Sequence, residues 1–401
     1  SANVADQYRY ICLSETAHRE IRHATNELHA MFMHATHQVL QDDALLARFD
    51  LPPAIWPKIH QSWNNRRNQM ITGRFDFSVS ERGIKVYEYN ADSASCHLET
   101  GKVQRLWAAH FGAREGRCPG ASLHQDLVDA WRESGVDGVL HIMLDEAPEE
   151  TYHALYMKSA IDAAGIPCKI IQGVADLGWD ADGYVVDADG ARILWVWKTW
   201  AWETALDQIR AQCDEDAQGP PRADGERRAP RLVDVLLRPE VMVFEPLWTL
   251  IPSNKAILPV LCNLFPNHPH LLNSQYELTA ELRQSGYVTK PIAGRCGANI
   301  SIVDGSSAVM EATTGRFDRQ HQVYQELCPL PRCADESGDE SGGKSGGKSG
   351  GHNVQVCTFS VDGRYAGACV RVDPALVITD QSNLLALRIL DDGMMGVDSS
   401  G

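Results

Sequence analysis

The chain has 401 residues, of which 44% are hydrophobic, and 53 acidic against 37 basic side chains give it a formal net charge of −16. This length and composition predict a globular protein with a sizeable core, built from two or three packed subdomains. The negative charge argues against a nucleic-acid groove and against an anionic membrane surface as partners, whereas a small cationic substrate would be attracted.

Apolar residues recur at spacings of three and four from Ser14 to about Phe49, which predicts a long helix capped by Ser14. From Ile71 to Asn90 the pattern changes to alternation around a turn at 81–83, which predicts a β-hairpin. Residues 136–200 have the pattern strand, helix, strand and a later strand. This order favours an α/β layer.

Two polar segments interrupt the later part of the chain. Residues 213–230 are rich in Pro, Gly and charged side chains, and we expect a surface loop there. Residues 335–351, DESGDESGGKSGGKSGG, contain no apolar side chain, and we expect a disordered insertion between ordered elements. After it, VQVCTFSV and AGACVRVD alternate as strands around a turn at 362–364.

The eleven cysteines include no CxxC pair and no Cys/His spacing typical of a zinc site. This usage is typical of a reducing compartment, so we expect a cytoplasmic protein. No apolar run approaches the roughly 20 residues that span a bilayer, and the first residues do not resemble a signal peptide. We therefore expect neither a membrane partner nor export.

The segments GRFDF and YEYN contain the densest group of functional side chains. Because alternate residues of a strand share a face, Arg74 and Asp76 should project together, as should Glu88 and Asn90 on the facing strand. One arginine, two carboxylates and an amide suit Mg²⁺ and a phosphoryl group. The alternative is an exposed polar face with ordinary ion pairs.

Five further residues are candidates for binding. Ser93 and Ser95 lie in a small-residue loop that suits a peptide-like ligand, with Cys96 beside them, unless this segment is only a turn. Lys255 and Lys290 are each flanked by apolar residues. A half-buried lysine needs an anionic partner such as a nucleotide phosphate, but a surface lysine with a packed aliphatic stem is equally compatible with the pattern.

Two other patterns are weaker. The glycine-bearing turn GRCGANI at 294–300 could offer backbone N–H groups to phosphates, although such turns are common. Trp195, Trp197, Trp200 and Trp202 could offer ring faces to a cation or simply fill the core.

Seven segments occur in order over about residues 8–390: GRFDF, VYEYNADSASCH, EETYHA, VWKTWAWETA, EPLWTLIPSNKAILP, KPIAGRCGANIS and VQVCTF. Together they resemble the synthetase domain of the glutathionylspermidine synthetase and trypanothione synthetase family. The resemblance implies an ATP-grasp ligase fold of mixed α+β and α/β class, with nucleotide between two α+β lobes and an adjoining mixed α/β layer.

On this resemblance, one synthetase unit is expected to have three parts. Residues 1–135 would form a helical part and a β-rich part that binds magnesium and glutathione. Residues 136–245 would form the α/β substrate layer. Residues 246–401 would form the ATP-grasp lobes with the insertion 335–351.

The resemblance also implies a role for each candidate residue. The expected Mg²⁺ ligands are Asp76, Glu88 and Asn90, and Arg74 would contact the transferring phosphoryl group and the acyl phosphate. The expected ATP-binding residues are Lys255, Lys290, Gly294 and Gly297 of the lid, and Gln325, Glu326 and Leu327 at the adenine hinge. The residues expected beside the substrates are Ser93, Ser95 and Cys96 at glutathione, Arg371 at its activated end, and Glu149 or Glu150 at the polyamine.

The implied activity is ATP- and Mg²⁺-dependent ligation of two small-molecule substrates, glutathione and a polyamine. The glycine carboxylate of glutathione is activated as an acyl phosphate and joined to spermidine, or to glutathionylspermidine to form trypanothione. A carboxylate must accept a proton from the amine, and Glu149 and Glu150 are the candidates. Two alternatives stay open: an ATP-grasp ligase of another amine, or a catalytically inactive glutathione- or nucleotide-binding module.

Two departures from the family pattern bear on these expectations. Where some relatives carry an acidic residue that helps to hold the polyamine, this chain has Asn383, which leaves the polyamine preference open. The cysteine amidase domain that precedes the synthetase in full-length members is not part of this chain.

Overall fold

The computed structural model of the protein describes residues 10–65, 70–145, 148–218, 228–333 and 351–394. The strands in these ranges are β1 Ile11–Ser14, β2 Thr72–Ser80, β3 Gly83–Asn90, β4 Leu140–Leu144, β5 Cys168–Gln172, β6 Gly178–Trp179, β7 Val185–Val186, β8 Trp195–Lys198, β9 Met242–Phe244, β10 Ser274–Gln275, β11 Tyr287–Pro291, β12 Ser301–Val303, β13 Val309–Ala312, β14 Gln322–Glu326, β15 Arg332–Cys333, β16 His352–Val361, β17 Arg364–Asp373, β18 Asn383–Leu385 and β19 Leu387–Leu390.

The α-helices in the same ranges are α1 Glu15–Leu40, α2 Asp43–Ala47, α3 Trp56–Asn64, α4 Gln104–His110, α5 Leu123–Glu133, α6 Pro148–Ala164, α7 Trp202–Gln218, α8 Leu232–Leu236, α9 Leu250–Ser253, α10 Ile257–Leu264 and α11 Ala280–Ser285. Single turns of 3₁₀-helix or π-helix cover Pro53–Ile55, Glu99–Val103, Leu247–Thr249 and Asp392–Met394. Within the described part of the chain, no helix combines the length and the hydropathy that crossing a bilayer requires.

The predicted N-terminal helix is confirmed at its start and is interrupted near its end. The Ser14 side chain accepts a hydrogen bond from the backbone N–H of Ala17 at 3.1 Å, as a helix N-cap does. The helix ends at Leu40, and Asp42 then caps α2 through the N–H of Ala44 at 2.8 Å. The prediction of one helix through Phe49 was therefore wrong, because the Asp42 cap starts a second one.

The largest sheet is antiparallel, with the order β18-β17-β16-β2-β3, and β15 also pairs with β16. Helix α1 packs on one face of it through Phe32, whose ring meets those of Phe75 and Tyr89 at centroid distances of 5.7 and 5.2 Å. The sheet combines strands from residues 72–90 and 332–385. Segments from opposite ends of the sequence thus form one folding unit.

Both predicted hairpins of this sheet are confirmed. The first pairs β2 with β3. The second pairs β16 with β17 through Asp362 and Gly363, which have φ values of 46° and 73°. Two positive φ angles are typical of the type I′ turn, for which Asp-Gly is a favoured sequence. A Cβ at Gly363 would lie 2.5 Å from the His29 ring, so close packing also requires glycine there.

The predicted α/β layer is also confirmed, as a parallel sheet with the order β5-β4-β8-β9. Helix α6 connects β4 to β5, and α5 and α6 share a buried hydrophobic cluster with β4 and β16. Parallel strands end at the same edge of a sheet. The start of α6 after β4, Lys198 at the end of β8 and Glu245 after β9 therefore lie at neighbouring strand ends.

A second antiparallel sheet of five strands has the order β10-β14-β11-β12-β13 and covers residues 274–326. Together, the helices, the parallel layer and the two antiparallel sheets make up the mixed α/β architecture that was expected. Residues of both antiparallel sheets line the cavity described below, as expected of an ATP-grasp protein.

The loop predicted at 213–230 was wrong in its first part, because α7 continues to Gln218. The polar residues of 213–218 do not interrupt a helix, since a helix tolerates charged side chains on its exposed face. The true breakers, Gly and Pro, begin at 219. Residues 219–227 lie outside the described residues, as do 334–350, which contain nearly all of the predicted insertion.

Candidate functional site

A cavity of about 580 Å³ is lined by both antiparallel sheets, the 294–300 turn and the start of α6. Most of the candidate residues line it: Arg74, Asp76, Glu88, Asn90, Ser93, Ser95, Cys96, Glu150, Lys255, Lys290, Gly294, Gly297, Gln325, Leu327 and Arg371. Two candidates are not among its lining residues. Glu326 instead forms an ion pair with Arg82, and the side chain of Glu149 lies outside the described part of the structure.

The hairpin β2–β3 places four polar residues at the cavity. Arg74 is directly opposite Asn90, and Asp76 is opposite Glu88, before a β-bulge that follows Asp76. The Arg74 guanidinium donates to the two Asp76 carboxylate oxygens at 2.8 and 3.1 Å and to Ser95 Oγ at 2.9 Å. Because Asp76 of the same strand and Ser95 of the loop both hold its guanidinium, this arginine has one fixed orientation in the cavity.

Two lysines approach the same corner from other elements. Lys255 Nζ lies 3.0 Å from the Glu88 carboxylate and donates to the Gly294 carbonyl at 2.6 Å. Lys290 Nζ donates to Gln325 Oε1 at 2.6 Å. Both lysines are buried, at 7% and 6% exposure. Buried ammonium groups at a cavity favour an anionic ligand that replaces lost hydration.

The pKa values in this corner reflect its positive charge. Burial raises the pKa of Glu88, but the charges of Lys255 and Lys290 outweigh burial and bring it down to about 2. Burial lowers the pKa of Lys290 to about 8, since the attraction of Glu88 is partly cancelled by repulsion from Lys255. Glu88 is therefore ionised at neutral pH, and the corner would gain from additional negative charge.

The oxygen donors of this corner fit a magnesium ion. Asp76, Glu88 and Asn90 offer hard oxygen atoms on one face of the hairpin. Each carboxylate has a cationic partner here, Arg74 for Asp76 and Lys255 for Glu88. Among the described residues, no three His, Cys, Asp or Glu side chains are grouped as a metal site. Mg²⁺ typically keeps waters and phosphate oxygens as ligands, so two carboxylates and an amide suffice.

The glycine-bearing turn is fixed to the α/β layer by an arginine that sequence reasoning did not select. Arg295 donates to Asp92 at 2.8 Å and to Glu203 at 3.0 Å. These two charges raise the pKa of Arg295 against the effect of burial, so the cation is permanent. Arg295, Asp92 and Glu203 each lie in a segment that was identified as a motif in the sequence. No regular spacing in the sequence indicates that these distant segments pair.

Other lining residues that sequence reasoning missed are Glu99, His153 and Asp380. With Glu150, the two acidic ones add carboxylates to a cavity that already contains arginines and lysines. Asn383 lies on β18 and is exposed, whereas Asp380, three residues earlier, lines the cavity. Asp380 thus provides an acidic side chain three residues before Asn383, where some relatives have an acidic residue.

Cys96 lines the cavity beside Ser95, with its Sγ 3.7 Å from Ser95 Oγ. Its φ of 74° is in the left-handed region, which is uncommon for a residue other than glycine. Burial raises the pKa of the Cys96 thiol, and the nearby Arg74 only partly offsets this. The thiol is therefore mainly protonated at neutral pH, unlike an activated nucleophile.

Comparison with known proteins gives a consistent relationship. The chain is 47% identical over 386 residues to the bifunctional glutathionylspermidine synthetase/amidase of Escherichia coli (strain K12), which covers 96% of this chain and 60% of that protein. It is 41% identical over 330 residues to the trypanothione synthetase of Crithidia fasciculata, covering 80% of this chain and 50% of the relative. With the glutathionylspermidine synthase of the same organism it shares 28% identity over 428 residues, covering 94% and 58%.

The chain thus spans 50–60% of the length of these relatives. Residues 2–390 match the family described as glutathionylspermidine synthase preATP-grasp. Since this match covers nearly the whole chain, the protein belongs to the glutathionylspermidine synthase preATP-grasp family.

Proposed function

We propose that the protein is an ATP-dependent amide ligase that joins the glycine carboxylate of glutathione to a primary amine of spermidine. Glutathionylspermidine would serve as a second amine substrate and give trypanothione. Family membership supports the proposal, as do the names of relatives that are synthetases of these two products.

The observation that carries the proposal is the charge composition of one cavity. Arg74, Arg371, Lys255 and Lys290 suit phosphates and a substrate carboxylate. Three carboxylates outside the metal set suit a cationic amine, namely Glu99, Glu150 and Asp380. A ligase of an acid and a polyamine needs both kinds of group within reach of one another.

We assign ATP and Mg²⁺ to the corner formed by the hairpin and the two lysines. Lys255 and Lys290 would hold the phosphates, with Gly294 and Gly297 of the turn above them. The residues that would contact the adenine are Gln325 and Leu327, and Glu326 would support this hinge through its pair with Arg82. When bound, ATP and Mg²⁺ supply the phosphoryl group that activates the carboxylate and the charge that neutralises it.

The remaining candidates are assigned to the two substrates. Ser93, Ser95 and Cys96 would bind glutathione, and Arg74 and Arg371 would orient its glycine carboxylate. Glu149 and Glu150, at the start of α6, would hold the amine, and one of them would take its proton. Because Asp76 and Ser95 fix Arg74, its donors need little reorganisation to stabilise developing negative charge.

Mass spectrometry of the products formed from glutathione, spermidine, ATP and Mg²⁺ tests the proposal. We expect glutathionylspermidine together with ADP and phosphate, and no amide when spermidine is omitted. Equal or faster ADP release with a different amine in a small panel would identify a ligase of another amine. Nucleotide and glutathione binding without ADP release would identify an inactive binding module.

A further inference from the structure

Two paired histidines have no role in the proposed function, and one of them, His153, lies next to Glu150. His97 is completely buried between β3 and the turn Glu99–Val103, and its Nδ1 lies 2.8 Å from Nε2 of His153 on α6. The two rings stack with centroids 4.9 Å apart. The second ring nitrogen of His97, Nε2, lies 2.7 Å from Thr72 Oγ1. Thr72, His97 and His153 therefore form a hydrogen-bonded chain from the sheet interior to the cavity.

The free end of this chain faces a carboxylate. His153 Nδ1 lies 3.8 Å from Glu150 Oε2, one helical turn earlier on α6. That carboxylate oxygen is buried and makes no hydrogen bond to any described residue. The His153 side chain is 15% exposed and lines the cavity, and its ring makes a T-shaped contact with the Trp197 ring at a centroid distance of 5.4 Å. The ring is thus held in place yet accessible from the cavity.

The hydrogen-bond pattern limits where protons can reside. Burial lowers the pKa of His97 well below its ordinary value, and the charges of His153 and Arg74 lower it further, so His97 stays neutral with one N–H. If that N–H is on Nε2, it donates to Thr72, and His97 Nδ1 accepts from His153 Nε2. His153 Nδ1 then has a free lone pair beside Glu150. Among the described residues, Glu150, from the helix of His153 itself, lies beside His153, and the charge of Arg74, from β2, acts on His97.

We infer that His153 receives, through Glu150, the proton that the attacking amine releases, while His97 and Thr72 hold its ring; this inference rests on the proposed ligase function. As the C–N bond forms, the amine proton passes to the Glu150 carboxylate and then to His153 Nδ1. The acyl C–O bond breaks, and its electron pair leaves with phosphate. Glu150 contacts the amine, so His153 is a positioning and proton-holding residue that returns the proton to water.

The substitution His153→Gln tests this inference, because a glutamine amide can still bond to His97 but cannot carry a proton. Two amines are compared: spermidine, which is mostly protonated at neutral pH, and hydroxylamine, which is mostly unprotonated. Once its C–N bond has formed, the weakly basic nitrogen of hydroxylamine is acidic enough to lose its proton to water, without a base from the protein. We expect kcat with spermidine to fall on the order of 100-fold. Hydroxamate formation should stay within about threefold of the parent, because activation of glutathione does not involve His153.

The pH profile gives a readout that a purely structural role would not change. The limb of kcat with spermidine that reports the proton acceptor should be present in the parent and absent or displaced in His153→Gln. His124→Gln is the matched control, since His124 on α5 bonds to Ser159 of α6 at 3.0 Å and does not line the cavity. Thr72→Val, which removes the partner of His97, should show a smaller loss of the same kind.

The outcomes separate this inference from the proposed function. If the parent protein makes neither the spermidine amide nor the hydroxamate, the proposed function is wrong. If the parent makes both and His153→Gln keeps its spermidine kcat, only the role of His153 is wrong. An equal loss with both amines would also overturn the inference, because the defect would then lie in folding or in glutathione activation. An unchanged pH profile in His153→Gln would overturn it too, because His153 would then not be the proton acceptor.

Discussion

The carboxylate of Glu88 lies 3.0 Å from Nζ of Lys255 at the wall of the cavity. Bulk water would hydrate each of these charges strongly, but here both are largely buried and are paired with one another. Lys290 acts on the same carboxylate and helps to bring its pKa down to about 2. Glu88 is thus ionised at neutral pH. Because Lys255 contacts one oxygen of this carboxylate, we expect a phosphate that takes over Lys255 to make Glu88 more available to a metal ion.

Removing either carboxylate of the proposed metal site should strongly lower turnover and preserve the fold. We expect Asp76→Ala and Glu88→Ala to lower kcat by at least about 100-fold, since phosphate charge would be left uncompensated in the transition state. ADP release at saturating Mg²⁺ measures this effect. Asp182→Asn is the control, because its carboxylate pairs with Arg192 and does not line the cavity. Activity within about tenfold of the parent would contradict the metal assignment.

Replacing both Glu149 and Glu150 by Gln should act on the amine substrate and leave the nucleotide site intact. We expect the spermidine KM to rise at least about tenfold and the ATP KM to change little, because only the attraction for a cation is lost. Steady-state kinetics with each substrate varied in turn gives both constants. Asp162→Asn, near the other end of α6, serves as the control because Asp162 pairs with Lys158. An unchanged spermidine KM would move the polyamine site elsewhere.

Glu245 should make stability depend on pH. Its side chain is buried, and burial raises its pKa to about 8 despite the nearby Lys198 charge. The unfolded chain releases this proton near pH 4.5, so the contribution to the free energy of unfolding is complete below that pH. It then decreases as the pH rises to about 8, above which it stays constant. From pH 6 to pH 8 this loss is roughly 2 kcal/mol.

Urea unfolding of the parent and of Glu245→Gln at pH 6 and pH 8 measures the effect. The decrease should be smaller in the variant, because glutamine does not titrate. Glu240→Gln is the control, since Glu240 forms an ion pair with Arg238 nearer the surface. Equal decreases in the parent and in Glu245→Gln would show that Glu245 is already ionised at pH 6.

The local features of this fold were readable from the sequence, and the contacts between segments were not. Alternation in FDFSVS and the Asp-Gly pair at 362–363 predicted both hairpins, because strand period and turn chemistry are local properties. The facing positions of Asp76 and Glu88 followed from the same alternation. The extension of α7 to Gln218 did not follow, since polar composition is compatible with both a loop and an exposed helix.

In the candidate site too, contacts within one motif were predictable from the sequence, and contacts between distant segments were not. Residues within one motif, such as Arg74 and Asp76, were correctly placed together. The contacts of Arg295 with Asp92 and Glu203 could not be foreseen, because three segments meet there only after the chain has folded. A single sequence contains no signal for pairing at such separations.

Cys96→Ala should keep most of the ligase activity and lose sensitivity to oxidised glutathione. An acyl phosphate is already activated, so a thioester would add a step without lowering the main barrier. The raised pKa of Cys96 makes formation of a mixed disulfide slow at neutral pH and faster as the pH rises. Inactivation rates at pH 7 and pH 8.5 measure this, with Cys213→Ala on α7 as the exposed control. A Cys96→Ala protein that binds both substrates yet makes no amide would restore the nucleophile interpretation.

Deletion of residues 335–351 should change the melting temperature by no more than about 2 °C, because loop closure entropy varies slowly with length. The described residues on each side support this, since Cys333 of β15 is paired directly with His352 of β16. The ends of the segment are therefore already adjacent, and a short turn can replace it. Differential scanning calorimetry of the deleted and full chains measures the change. A decrease above about 5 °C would show that the segment is folded and packed.

The position of β2 between β3 and β16 has a consequence for synthesis on the ribosome. The hairpin β2–β3 emerges early, but its other edge is completed only when residues 352–361 have been translated. Until then the nascent chain presents an unpaired strand edge, which is a surface prone to aggregation. Every chain that terminates before β16 should therefore be inactive and also a substrate for chaperones.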